Sequence, residues 1–285
     1  MSGTRLRVLS WNMNQQLTSW SYLQDLAVRY ELDVALLQEA RLPSEPPAVR
    51  CEPDFAEVER WQVPVPVGMK RPYCSAVVCF NRDLNFEPVR PTPLWEAPYG
   101  GLAASHPGQF AVATVTLPGH PAVTVVSLYG LWDKMNDSGE IYAYATLHRA
   151  LSDLTPLFQT RGARVIVAGD LNVWHGYGGP PWLGRYQLVF DRLASQGLEL
   201  VGPFRPSDDQ PLENCPCGPQ PDCRHVLTYR HQRNAGNRPY QNDFVFAGGT
   251  LAAGAIVTTV REEEVWRHSD HVPVIAEFSI EEETT

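Results

Sequence analysis

Hydrophobic positions along this chain fall into short blocks separated by polar, proline-rich or glycine-rich stretches. Residues 6–11, 34–37, 75–80, 111–117, 123–128, 165–168, 244–247 and 274–280 are rich in β-branched and aliphatic side chains, and their length predicts strands. A different period appears between some of them. Leu23, Leu26, Ala27 and Tyr30 recur at the i, i+3, i+4, i+7 spacing of one buried helical face. The pattern predicts a second helix over about 140–154 and a third over about 186–195, stopped by Gly197. Proline and glycine gather at 43–47, 64–72, 88–101, 176–184 and 203–221, which read as loops. There is no internal repeat, and the acidic end at 281–285 reads as a solvated tail.

Composition narrows the class. At 285 residues and 44% hydrophobic content the chain can bury a large core, and one domain spanning 1–285 is expected. A formal net charge of −9 argues against coating nucleic acid by global electrostatics, so any such contact must be local. No stretch reaches the roughly 18 apolar residues of a membrane span, and the first residues carry no apolar segment; a cytoplasmic monomer that does not engage membranes is expected. In that setting the six cysteines read as reduced thiols or metal ligands.

Candidate chemistry sits at the ends of the apolar blocks. Asn12 and Asn14 follow the first; Gln38 and Glu39 follow the second; Tyr129 closes the fifth. Asp170 and Asn172 follow the sixth, Asp243 opens the seventh, and Asp270 with His271 precede the last. Strands sharing sheets can bring such ends to one edge. Glu39, Asp170, Asp243 and Asp270 would then be four crowded carboxylates, unfavourable without a cation or a proton between them. Oxygen ligands of that kind suit Mg²⁺ or Mn²⁺ better than zinc. Taken singly, each motif also reads as a strand end, turn or cap.

Taken in order, Leu9-Ser10-Trp11-Asn12-Met13-Asn14, Leu37-Gln38-Glu39-Ala40, Gly169-Asp170-Leu171-Asn172-Val173, Asn242-Asp243-Phe244-Val245 and Ser269-Asp270-His271-Val272-Pro273-Val274 resemble the exonuclease–endonuclease–phosphatase superfamily. The resemblance spans residues 6–279. It implies an α/β fold: a four-layered sandwich of two facing, mostly antiparallel sheets flanked by helices, with the site at one edge. It implies a metal-dependent phosphate-ester hydrolase in which Glu39 is the principal Mg²⁺ ligand, helped by Asn14 and Asp270. Asp170 would orient or deprotonate the attacking water. Asn12 and Asn172 would bond phosphate oxygens, as would Tyr129, and His271, oriented by Asp243, would stabilise charge at phosphorus. Two departures stand out. Asn14 replaces an aspartate found in many nuclease relatives, and Tyr129-Gly130-Leu131-Trp132 lacks the Tyr-x-Pro-Asn pattern common among abasic-site endonucleases.

Within a Cys/His-rich loop insertion at about 205–240, Cys215, Cys217, Cys223 and His225 have the residue types of a structural Zn²⁺ site; the other reading is a reduced, exposed loop. Residues 224–242 then carry Arg224, Arg230, Arg233 and Arg238 with no acidic residue. They form either a phosphate-binding arm, with Arg230, Arg233 and Arg238 as its contacts, or a solvated loop. Trp174, with His175, Tyr177 and Trp182, lies in a glycine-rich loop where rings can stack on bases or act as packing anchors. These features favour a nuclease with a nucleic-acid substrate. An enzyme for a small phosphorylated molecule or lipid head group is the alternative, and an inactive binding module is disfavoured by retention of the acidic and histidine residues.

Overall fold

The computed structural model describes residues 4–64, 70–132, 142–159, 163–218, 220, 222–230 and 239–281. Two six-stranded sheets face one another. The first is formed by β1 (Thr4–Asn12), β2 (Val34–Ala40), β3 (Arg50–Glu52), β4 (Cys74–Cys79), β11 (Ile256–Thr259) and β12 (Val274–Ile280), in the order β11-β12-β1-β2-β4-β3. The second contains β5 (Asn85–Val89), β6 (Phe110–Thr116), β7 (Val123–Leu128), β8 (Val165–Asp170), β9 (Leu198–Gly202) and β10 (Asp243–Gly248), in the order β9-β10-β8-β7-β6-β5. Pairing is antiparallel except between β1 and β2 and between β7 and β8.

Strict alternation explains the layering. Leu6 and Val8 of β1, Val34 and Leu36 of β2, Ile166 and Ala168 of β8, and Val245 and Ala247 of β10 fill the core between the sheets. Their neighbours Leu9, Trp11, Ala35 and Leu37 point outward, onto Leu23 and Leu26 of α1 (Ser19–Arg29). Val165, Val167, Phe244 and Phe246 point outward from the second sheet, onto α2 (Ala143–Phe158) and α3 (Trp182–Ser195). Helix, sheet, sheet and helix therefore form four layers, as the period-two strands and period-3.6 helices require.

All eight predicted strands are present. The strands without a prediction, β3, β5, β9 and β11, are short and all four lie at sheet edges, where a half-exposed face carries little hydrophobic alternation. The expected loop at 88–101 in fact begins inside β5: Pro88 is tolerated there because an edge strand has one side without ladder bonds to donate. The helix expected over 140–154 runs instead from Ala143 and passes Pro156, which falls in the last turn, where a missing N–H costs one hydrogen bond; position 140 lies outside the described residues. The third helix begins one turn early, so Trp182 is its first residue rather than part of a loop. The tail beyond 281 is also outside the described residues.

Two glycines let β7 and β8 cross closely at the edge that matters below. A Cβ at Gly169 would stand 1.8 Å from the Leu128 carbonyl oxygen, and one at Gly130 would stand 1.9 Å from that of Leu171. No other residue fits either position.

Candidate active site

The apolar faces between the sheets end in polar residues at one edge. The alternation that sends Leu6 and Val8 inward continues to Asn12; that of Ile166 and Ala168 continues to Asp170, and that of Val245 and Ala247 to Asp243. Asp170 and Asp243 are register partners on adjacent antiparallel strands, and both are buried. Two carboxylates directly opposite repel one another. His271 offsets this: its Nδ1 donates to Asp243 Oδ2 at 2.8 Å and its Nε2 lies 3.7 Å from Asp170 Oδ2. Burial disfavours the imidazolium, but Asp243 and Asp170 outweigh it and push the His271 pKa up to about 10. Burial, aided by the charge of Asp243, raises Asp170 to about 7 against the opposing pull of His271.

The loop carrying His271 is fixed from both sides. Trp11 Nε1 donates to the His271 carbonyl (2.9 Å), and Ser269 Oγ donates to the Asn12 carbonyl (2.6 Å) while accepting from His271 N (3.1 Å). Thr228 supports the other wall. Its hydroxyl accepts from the backbone N–H of Asn242 (3.0 Å) and of Asp243 (3.2 Å), and its carbonyl accepts from Val272 N (2.9 Å). The Tyr229 ring lies 4.7 Å from the imidazole. Sequence reasoning missed Thr228 and Tyr229, because nothing local marks a residue whose partners lie elsewhere in the chain.

Glu39 reaches the same edge by a break in alternation. Regular pleating would send it outward with Leu37. A register shift between Leu37 and Ala40 inserts one extra residue, returning Ala40 to the outer face, and Glu39 takes φ +47°. A non-glycine residue in the left-handed region costs of order 1–3 kcal/mol and persists where its surroundings hold it. Here the holders are Tyr129, whose phenol donates to Oε1 at 2.8 Å, Asn12 Nδ2 at 3.2 Å, and Gln15 Nε2, which donates to Oε2 at 2.8 Å. Gln15 is a further residue that sequence reasoning missed. Gln38 is not part of the site. It shares the inward face with Leu36, is fully buried, and donates to Ser127 Oγ (3.0 Å), while that hydroxyl donates to the Leu37 carbonyl (2.6 Å), clasping the two sheets together.

Asn12 joins the two halves. Its amide donates to Asp170 Oδ2 (2.8 Å) as well as to Glu39. Asn172, at φ +51°, donates from its backbone to Asp170 Oδ1 (2.9 Å) and from its amide to Asp170 Oδ2 and the Gly130 carbonyl, both at 3.1 Å. Both asparagines expected at phosphate oxygens thus also position the Asp170 carboxylate. Tyr129 is buried against Glu39, and burial followed by that charge keeps its phenol protonated.

The four carboxylates do not form one cluster. Asp170 and Asp243 lie with His271, their donor atoms within 4.8 Å of one another, whereas Glu39 is linked to them through Asn12. Separating the charges lowers their repulsion. Asp270 is half-buried beside them, its backbone carbonyl accepting from Arg230 N at 2.9 Å. Burial, with the charge of Glu39, raises its pKa against the pull of His271. Asn14 takes φ +44° and donates its backbone N–H to Asn12 Oδ1 (2.8 Å), while its side chain makes no hydrogen bond among the described residues. Glu39, Asn14 and Asp270 therefore offer oxygen donors suited to a hard divalent cation. The Asp170–His271–Asp243 group is better described as a proton-holding triad, since His271 already bonds Asp243 through hydrogen.

The outlying candidates are placed as follows. The Arg230 guanidinium lies 4.2 Å from the Trp266 ring centroid and 3.6 Å from Glu263, so internal partners engage much of its charge. Arg233 and Arg238 lie outside the described residues. Trp174 stacks on Tyr177 (5.3 Å) and Tyr240 (5.4 Å), which makes it a packing anchor, and it also lines a shallow groove with Leu183 and Pro216. Cys215, Cys217, Cys223 and His225 meet in one cluster. No helix among the described residues is long and apolar enough to cross a membrane.

A model of the Endonuclease/Exonuclease/phosphatase family matches residues 9–271. No curated protein matches the sequence. Among solved structures, the AP endonuclease LMAP from Leishmania major has a TM-score of 0.64 at 15% identity, covering 96% of this chain and 88% of that one. The endonuclease domain of TRAS1, a telomere-specific non-LTR retrotransposon, gives 0.61 at 17%, covering 98% and 100%. The 3′-5′ exonuclease NExo from Neisseria meningitidis gives 0.59 at 20%, covering 96% and 100%. At these identities the likeness is one of fold.

Proposed function

Since the chain belongs to the Endonuclease/Exonuclease/phosphatase family, whose members hydrolyse phosphate esters, we propose that it is a divalent-metal-dependent phosphodiesterase, acting as a nuclease on nucleic-acid phosphodiester bonds. The observation that carries this reading is the buried Asp170–His271–Asp243 triad standing beside the oxygen donors of Glu39, Asn14 and Asp270. Glu39, Asn14 and Asp270 would hold Mg²⁺ or Mn²⁺, which would supply charge neutralisation to the phosphate. Asp170, ionised, takes a proton from water and aligns it. His271, protonated on both nitrogens, directs Nε2–H toward the oxygens on which negative charge grows, while Asp243 fixes the ring. Asn12 and Asn172 hold Asp170 and turn amide donors to the phosphate oxygens when it binds. Tyr129 and Gln15 keep the Glu39 carboxylate aimed at the edge.

A nucleic-acid substrate is supported by fold neighbours that are an AP endonuclease, a retrotransposon endonuclease domain and a 3′-5′ exonuclease. Arg230, Arg233 and Arg238 are the candidate phosphate contacts of the basic segment, and Trp174 is a candidate ring contact. The net charge of −9 favours a second reading, a small phosphorylated molecule or a lipid head group. A substrate panel separates them. Plasmid, single-stranded DNA or RNA should be cut with Mg²⁺ or Mn²⁺, cutting should stop in EDTA, and the metal should restore it. Turnover only of phosphomonoesters or lipid head groups would select the second reading, and full turnover in metal-free buffer would remove the metal from the mechanism.

The titrations give a pH profile with a defined sign. Asp170 works ionised, so the rate rises with pH through about 7; His271 works protonated, so it falls as pH passes about 10. Asp243→Asn removes the negative charge that most favours the imidazolium. The alkaline limb should therefore move to lower pH, along with a loss of rate. An alkaline limb unmoved by this substitution would show that His271 does not set it.

A further inference from the structure

We infer that Cys215, Cys217, Cys223 and His225 form a structural zinc site separate from the catalytic edge. The four potential ligand atoms lie within 4.8 Å of one another. Cys215 Sγ stands 3.2 Å from Cys217 Sγ and 3.6 Å from Cys223 Sγ, and His225 Nδ1 stands 3.4 Å from Cys215 Sγ and 3.3 Å from Cys223 Sγ. With Zn–S near 2.3 Å and Zn–N near 2.0–2.1 Å, the edges of a tetrahedron are roughly 3.5–3.8 Å, close to this spacing. A disulfide needs sulfurs about 2.05 Å apart, and all six cysteines are free.

A second observation fixes the tautomer. His225 Nε2 lies 2.7 Å from the His175 carbonyl oxygen, which can only accept. Nε2 must therefore carry the proton, and Nδ1 turns a bare lone pair toward the sulfurs, as a neutral metal-binding imidazole does. The Tyr177 ring meets the imidazole edge-on at 4.8 Å and holds its plane. Three soft sulfurs and one imidazole select Zn²⁺ over the hard cations suited to Glu39, and a four-ligand set closes the coordination sphere, which marks a structural site.

The site has a clear consequence. The chain leaving His225 is knitted at once to the catalytic edge. Val226 N donates to Gln241 Oε1 (3.1 Å), Thr228 N to the Tyr240 carbonyl (2.9 Å) and Arg230 N to the Asp270 carbonyl (2.9 Å), and the Thr228 hydroxyl caps the N–H groups of Asn242 and Asp243. Residues 203–218 contain little regular structure, and Arg205 ties them to this segment through its backbone N–H to the Arg224 carbonyl and its Nε–H to the Cys223 carbonyl, both at 2.8 Å. Zinc would tie the segment's start to the turn carrying Cys215 and Cys217, while His225 Nε2–H holds it to the His175 carbonyl, and together they would steady residues 226–230, which frame Asp243 and His271. None of this depends on the phosphodiesterase reading.

The test uses the full chain purified without chelator. Elemental analysis should find about one zinc per chain, and thiol titration in denaturant should find all six cysteines reduced. Cobalt substituted for the zinc should show thiolate-to-metal charge transfer and the strong visible bands of a tetrahedral ion. The Cys215→Ser/Cys223→Ser double variant should retain zinc only at background. Wild type without stoichiometric zinc, four titratable thiols and no metal, or zinc kept undiminished by the double variant would each overturn the site. If that variant does not fold, the cobalt spectrum of the wild type decides, and bands of an oxygen-ligated ion without thiolate charge transfer would overturn the inference.

Discussion

Asp170→Asn is expected to lower kcat by about three orders of magnitude at saturating metal, within the range that a positioned general base contributes. The substitution preserves size, removes the charge and the proton acceptor, and turns an amide NH₂ toward donors from Asn12 or Asn172. Asp170 has no redundant partner for that task. Asp243 faces His271 and Glu39 is held by Tyr129, Asn12 and Gln15, so neither can replace it at the water. The acid limb of the pH profile, set near 7 by the wild-type residue, should vanish with it. Substrate KM and metal requirement should change far less than kcat. A rate within tenfold of wild type, with the acid limb intact, would place the base elsewhere.

His271→Ala is expected to lower kcat by two or more orders of magnitude at saturating metal, as loss of a preorganised group that stabilises transition-state charge does. It also removes the cation between two buried carboxylates in register, so the variant should be less stable at neutral pH and recover part of that loss as Asp170 becomes protonated at lower pH. A merely structural histidine would show the stability effect alone. Thermal unfolding and single-turnover rates measured on the same preparation separate the two. Near-normal turnover together with a lowered Tm would reduce His271 to a structural role.

The sequence by itself determined where eight of the strands run and the ends from which the chemistry projects. The alternation of Leu6, Val8 and Ser10 toward Asn12, and of Ile166 and Ala168 toward Asp170, is a local property of period two, so it could be read before any partner was known. Cys215, Cys217, Cys223 and His225 were legible as a group for a similarly local reason: all four fall within one short stretch of chain.

Only the tertiary structure decided which polar residues meet. Asp170 faces Asp243 because β8 and β10 pair in that register, while Glu39 reaches the same edge because a bulge breaks the alternation of its strand. Gln38, expected beside Glu39 at the site, became a clasp between the sheets because Ser127 stands across from it, and Gln15, Thr228 and Tyr229 entered the site through partners in other elements. The physical reason is sequence distance. A hydrogen bond such as that from Trp11 to the His271 carbonyl joins residues 260 positions apart, and its geometry is fixed by the packing of two whole sheets rather than by anything near either end.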